Sequence, residues 1–188
     1  MIIFQTDRLI VRDLQEQDGD NYFSIHGNPE VMRYIRPAKS REETDALLKE
    51  HLEFNKTILP FGRWMIETKG QKTFLGTFVI FPINDTKLFQ IGYSLQKAYW
   101  GKGYASELVN KGVEYFFEHS QQSALYAIIE KENIASEQVL RKNGFTFDTA
   151  LKENEKELIR FVRKRNDFLK IGIQTGIVVG GDLLQFLS

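Results

Sequence analysis

The sequence predicts one mixed α/β domain, a largely antiparallel sheet covered by helices, and three observations carry that reading. Three strand-length runs follow one another at 62–68 (GRWMIET), 73–81 (TFLGTFVIF) and 88–95 (LFQIGYSL). Turn residues separate them, Lys69-Gly70-Gln71 first and then Pro82 to Lys87, which is the pattern of a meander. A helical period at 103–119 and a strand-length apolar run at 123–129 come next, so a strand–helix–strand crossover joins the meander and makes the sheet mixed. Finally, the 188 residues hold no 20–50-residue repeat and no linker-like stretch, which leaves one domain over 1–170 with a tail at 171–188.

Each element has a local cause. Residues 7–12 (DRLIVR) alternate apolar and polar, the period of a strand. A polar stretch from Leu14 to Asp20 leads into Tyr22, Phe23 and Ile25, and Asn28 before Pro29 caps a short helix carrying Val31, Met32 and Ile35. Ser40 and Glu43 form a capping box for a helix over 41–56, in which Leu47, Leu48, His51, Leu52 and Asn55 recur at helical spacing. On the 103–119 helix, Tyr104, Leu108, Gly112, Val113 and Phe116 make one stripe. A second amphipathic helix fits 133–143 and ends on Asn143-Gly144. The runs 145–151 and 158–165 close the domain as two strands.

Composition removes several function classes. Lys and Arg together number 25 and Asp and Glu number 25, so no net field draws in nucleic acid or an anionic membrane. There is no cysteine, which rules out disulfides, thiolate metal sites and a cysteine nucleophile. His26, His51 and His119 are too scattered for a metal-ligand motif. The start, MIIFQTDRLIVRD, has no signal-peptide apolar core, and no run is long enough to span a bilayer; a cytoplasmic protein is the expectation.

The stretch richest in chemistry runs from Leu95 to Glu107. A strand ends, a loop places Gly101 and Gly103 around Lys102, and a helix starts at once. Glycines permit positive φ and close approach of a ligand to the main chain. A helix N-terminus offers unpaired N–H groups and partial positive charge, and Lys102 adds a full one. These features predict a phosphate or pyrophosphate on the amides from Gly101 to Ser106. The loop is neither a GxxxxGK[ST] phosphate loop nor a dinucleotide-binding GxGxxG turn. Downstream, Asn133 suits an N-cap and Ser136 stands three positions on, on the polar side of its helix.

Trp100-Gly101-Lys102-Gly103-Tyr104-Ala105 after Leu95, with the Asn133-x-x-Ser136 helix ending in Asn143-Gly144-Phe145, resembles the GNAT acetyltransferases. Thr6 to Arg12, Asn28 to Met32 and Ile91-Gly92-Tyr93 resemble the ribosomal-protein N-terminal acetyltransferase branch, and the likeness spans about residues 6–150. It implies the GNAT fold, with one splayed parallel strand pair that receives acetyl-coenzyme A. It also implies an N-acetyltransferase acting on a primary amine, either a protein N-terminus or a small molecule. By resemblance, Leu95 pairs with the pantetheine arm, the amides of Gly101, Lys102, Gly103, Tyr104, Ala105 and Ser106 hold the pyrophosphate, Trp100 borders that cofactor site where many members carry Arg or Gln, and Asn133 faces the pantetheine end. Ser136 then protonates the departing thiolate. Tyr93 either lines the substrate slot or packs in the core.

Members of this branch often carry an acid just before Ile-Gly-Tyr, where this chain has Gln90. Glutamine takes no proton at neutral pH, so Glu67 is the substitute candidate for general base. The same departure supports an alternative, a catalytically weak coenzyme A-binding sensor. With no cysteine in the chain, an acyl-enzyme relay through a thiol is excluded, and transfer is expected to be direct. The tail 171–188 is glycine-rich and apolar with Asp182 as its one charge, so it is expected to pack on a neighbouring subunit as a homodimer or over the sheet edge.

Overall fold

The computed structural model of the chain describes residues 1–83 and 86–168, so the apolar tail at 171–188 and its expected packing lie outside the described residues. Among those described, eight strands build one sheet: β1 (Ile2–Gln5), β2 (Leu9–Asp13), β3 (Gly62–Thr68), β4 (Phe74–Pro82), β5 (Phe89–Leu95), β6 (Ala124–Glu130), β7 (Thr146–Glu153) and β8 (Lys156–Lys164). Their order is β1-β2-β3-β4-β5-β6-β8-β7. Every neighbouring pair is antiparallel except β5–β6, the pair joined by the crossover. The helices are α1 (Gly19–His26), α2 (Pro29–Met32), α3 (Arg41–Thr57), α4 (Tyr104–Glu118) and α5 (Ile134–Lys142). None of these helices is long and apolar enough to cross a membrane.

The predicted caps form. Asn28 Oδ1 accepts from the Glu30 and Val31 amides at 3.0 and 3.4 Å. Ser40 and Glu43 bond reciprocally, satisfying two N–H groups that α3 would otherwise leave unpaired. One strand was not legible. β1 is only four residues long and shows no alternation, so it exists through its pairing with β2 and through Phe4, which packs edge-on against Phe78 at 5.5 Å.

Two cores form, one on each face of the sheet. Trp64, Ile66, Phe78, Ile80, Ile91 and Leu95 pack with Leu108, Val113 and Phe116 of α4. Met65 and Phe74 pack on the other face with Tyr22 and Ile25 of α1, Met32 of α2 and Leu47 and Leu48 of α3. Alternation along β5 therefore sends Ile91, Tyr93 and Leu95 to the α4 face and Gln90, Gly92 and Ser94 to the α1–α3 face.

Gly112 is where α4 meets the sheet most closely. A Cβ there would lie 2.3 Å from Phe78 Cζ and 3.0 Å from Ile91 Cδ1. Gly112→Ala gains up to about 1 kcal/mol of helix propensity but meets an overpacking cost of roughly 1–3 kcal/mol. The expected result is a lower melting temperature; an unchanged or higher one would show that α4 can lift from the sheet without loss.

Candidate active site

β5 and β6 share a single registered pair, Gln90 with Tyr126, although both strands run on past it. They diverge into a V that opens toward Leu95. The Gln96 amide donates to Leu75 O at 2.8 Å, and Leu95 lies opposite Gly76 in β4. By the alternation of an antiparallel ladder, the N–H and C=O groups of Tyr93 and Leu95 then point away from β4, into the V. One wall of the opening is thus lined by strand amides, as an extended amide-bearing chain requires.

The loop after β5 is fastened on three sides. Trp100 donates from its indole Nε1 to Leu95 O at 2.7 Å, so this half-exposed tryptophan ties the loop back to the strand. Gly101 and Gly103 have φ of +70° and +81°. Nothing lies within 4 Å of a Cβ built on Gly101, and only an arginine tip lies near that of Gly103, so backbone angle rather than space demands glycine. On the α1–α3 face, Lys97 pairs with Glu30 at 2.6 Å and Gln96 donates to Ser24 Oγ at 3.0 Å, joining the loop to α2 and α1.

The first turn of α4 carries Glu107, an acid at the end of a helix where an anion is expected. Arg8 neutralises it, donating from Nε to Glu107 Oε2 at 2.6 Å and from Nη1 to Lys102 O at 3.0 Å, while its guanidinium lies 4.4 Å from the Tyr104 ring centre. Burial pushes the Glu107 carboxyl up, but hydrogen bonds from Thr6 and Arg8 outweigh it and hold the group below the usual range. That leaves the positive end of α4 and the Lys102 ammonium able to hold an anion such as a phosphate. Arg8 was quoted in the family likeness without a role; it bonds a residue 99 positions away, beyond the reach of any spacing rule.

Asn133 serves as the N-cap of α5, accepting from the Ser136 amide at 3.2 Å. That contact fixes Ser136, whose Oγ accepts from the Tyr93 hydroxyl at 3.4 Å across the V. The structure thereby joins two residues that the sequence offered separately. Burial raises the Tyr93 phenol above its ordinary value, and the Ser136 contact offsets only part of this. Asn143, unassigned from sequence, donates to Ser106 Oγ at 2.9 Å and to Val139 O at 2.7 Å, clamping the end of α5 to the start of α4.

Glu67 is placed elsewhere. It accepts from Arg12 Nε at 2.7 Å, and Arg12 also grips Asp18 through Nη1 and Nη2 at 2.8 and 2.6 Å. It sits two strands from β5, on the α1–α3 face, whereas Tyr93 is on the α4 face. His119 stacks on Tyr115 at 4.2 Å and bonds its carbonyl, a structural role. Among the described residues no cluster of His, Cys, Asp or Glu could hold a metal ion.

Comparison with known proteins gives this geometry its context. The family model for the acetyltransferase (GNAT) domain matches residues 8–146. An uncharacterized N-acetyltransferase, YoaA of Bacillus subtilis, is 30% identical over 154 residues, covering 80% of this chain and 86% of that protein. Two solved structures share the fold at a TM-score of 0.72. One is an acetyl transferase from Salmonella typhimurium that modifies the N-terminal serine of ribosomal protein L7/L12, 20% identical, covering 87% of this chain and 99% of that one. The other is a spermidine N-acetyltransferase from Vibrio cholerae in complex with CoA and spermine, 21% identical, covering 86% and 98%.

Proposed function

The chain belongs to the GNAT acetyltransferase family, N-acetyltransferases that use acetyl-coenzyme A, and from that premise we propose that it passes an acetyl group directly to a primary amine. The acceptor is a small-molecule amine or a protein N-terminus. One observation carries the mechanism: the Tyr93 hydroxyl of β5 meets Ser136 Oγ of α5, the helix that follows β6. The cofactor supplies the acetyl group and a thiolate leaving group. Its pyrophosphate is assigned to the amides from Gly101 to Ser106 beside Lys102, and its pantetheine arm to the main chain of Leu95 and the side of Asn133.

Within this frame each residue has one task. A strand amide of Tyr93 or Leu95 donates to the oxyanion of the tetrahedral intermediate. Ser136 delivers a proton to the sulfur and recovers one from Tyr93, the more acidic hydroxyl, which solvent then reprotonates. The proton released by the amine leaves through water, because Glu67 is committed to Arg12 and stands two strands from β5. A Glu67→Gln variant is accordingly expected to keep the parent pH–rate profile.

The test is thiol release from acetyl-coenzyme A while amines and peptide N-termini are screened. Ser136→Ala is expected to lower kcat by roughly tenfold or more, with water taking part of its place, and to leave cofactor affinity unchanged. Parent-like turnover in that variant would remove Ser136 from the proton path.

A further inference from the structure

Beneath α1 and α3, on the acceptor side of the sheet, lies a polar cluster that the transfer chemistry does not use. Arg36 Nη2 lies 3.0 Å from His26 Nδ1. Arginine can only donate, so His26 Nδ1 accepts and its remaining proton sits on Nε2. His26 Nε2, Arg36 Nε and Arg63 Nε are all buried without a partner among the described residues. Every one of these unpaired atoms is a donor. The Tyr22 hydroxyl bonds His51 Nδ1 alongside them, and burial keeps both histidines neutral, with pKa lowered to about 3 in each.

Arg63 is held rigidly for a residue with no ionic partner. β2 ends at Asp13, opposite Trp64, so the edge of β3 at Arg63 has no strand beside it. Asn55 of α3 fills the gap as a one-residue strand, accepting from the Arg63 amide and donating to its carbonyl, both at 2.9 Å. The Arg63 guanidinium lies 4.2 Å from the ring centre of Phe81 on the neighbouring β4, and Phe81 in turn pairs with the uncharged Gln90 of β5. No carboxylate forms an ion pair with Arg36 or Arg63 among the described residues, although Glu50 lies within electrostatic reach of both. Neither residue is fully buried, so the heads are sealed at Nε and open at their tips.

Two partly desolvated guanidiniums without a counter-ion are costly in a resting protein and well suited to a carboxylate, which matches the planar guanidinium fork in two hydrogen bonds. We infer that the acceptor is an amine that also bears a carboxylate, and that Arg36 and Arg63 hold that carboxylate while the amine reaches the V over Gly92 and Gln90. This rests on the acetyltransferase reading and narrows its acceptor. A polyamine, which brings only positive charge, is disfavoured by the same pair.

Two matched pairs of substrates test it and separate the source of the carboxylate: alanine against alaninamide, and an N-terminal Ser-Asp peptide amide against Ser-Asn. In at least one pair the carboxylate member is expected to be favoured in kcat/KM by about 10- to 100-fold, the effect of one or two charge-assisted hydrogen bonds. Arg36→Gln and Arg63→Gln should each drive that ratio toward one, and Arg63→Lys should recover part of it. A readout independent of turnover uses the intact protein with coenzyme A: the Nε–H NMR signals of Arg36 and Arg63 should move when N-acetylalanine or the acetylated Ser-Asp peptide is added and stay put with the amide counterpart. Equal turnover in both pairs, or signals that do not distinguish carboxylate from amide, would overturn the proposal. Signals that move without transfer to any amine would support the anion site and remove the transferase reading instead.

Discussion

Replacing Tyr93 with phenylalanine is expected to lower kcat by about 100- to 10,000-fold, the range typical of a lost general acid. The ring packs against the α4-side core, and phenylalanine preserves that packing, so folding and cofactor affinity should hold. What disappears is the hydroxyl that donates to Ser136 Oγ. A serine hydroxyl alone is a poor acid, and the phenol behind it makes the relay effective. The acid must be protonated to act, and burial raises the Tyr93 pKa above its ordinary value of 10.0. Activity should therefore persist through the pH range in which an exposed tyrosine begins to ionise, with its alkaline loss displaced upward. Steady-state kinetics against a calorimetric affinity for coenzyme A checks this. A kcat within twofold of the parent would show that the proton comes from elsewhere.

Acid should unfold the protein through His26 and His51. Burial first, and then the nearby Arg36 and Arg63, lower both pKa values from 6.5 to about 3 in the folded chain. As pH falls below 6.5 the unfolded chain takes up protons that the native state refuses, so stability declines with falling pH until about 3. Each histidine removes about 1.4 kcal/mol per pH unit, and the two together about 3 kcal/mol per unit. A domain of this kind has roughly 5–15 kcal/mol in hand, so a few pH units are enough to unfold it. Urea titrations from pH 7 to pH 4 should show this slope, and His51→Leu should roughly halve it. Stability that is flat from pH 7 to pH 5 would mean that the histidines protonate in place.

The helix caps and the glycine loop were legible because their causes are local. Asn28, Ser40 and Asn133 cap their helices as their positions demand. Gly101 and Gly103 take positive φ where a strand must turn directly into a helix. The charge pairings on the α1–α3 face were not legible. Glu67 alternates with Trp64 and Ile66 in the sequence as a free carboxylate would, but its partner Arg12 is 55 residues away and comes from another strand. Gln90 was recognised as a departure, while the guanidinium over its β4 partner Phe81 belongs to Arg63, two strands from β5.

By itself the sequence determined the element types other than β1, the mixed sheet, the glycine loop at the head of α4 and, through its lack of cysteine, the exclusion of a cysteine acyl-enzyme. Those features depend on periodicity, capping and backbone angle, which act over a few residues. The tertiary structure decided how β5 parts from β6 after one shared pair, which put Tyr93 against Ser136. It also gave Glu107 to Arg8 and left Arg36 and Arg63 without a counter-ion among the described residues. Burial and pairing of charge depend on which surfaces meet when the sheet closes, and residues dozens of positions apart supply those surfaces.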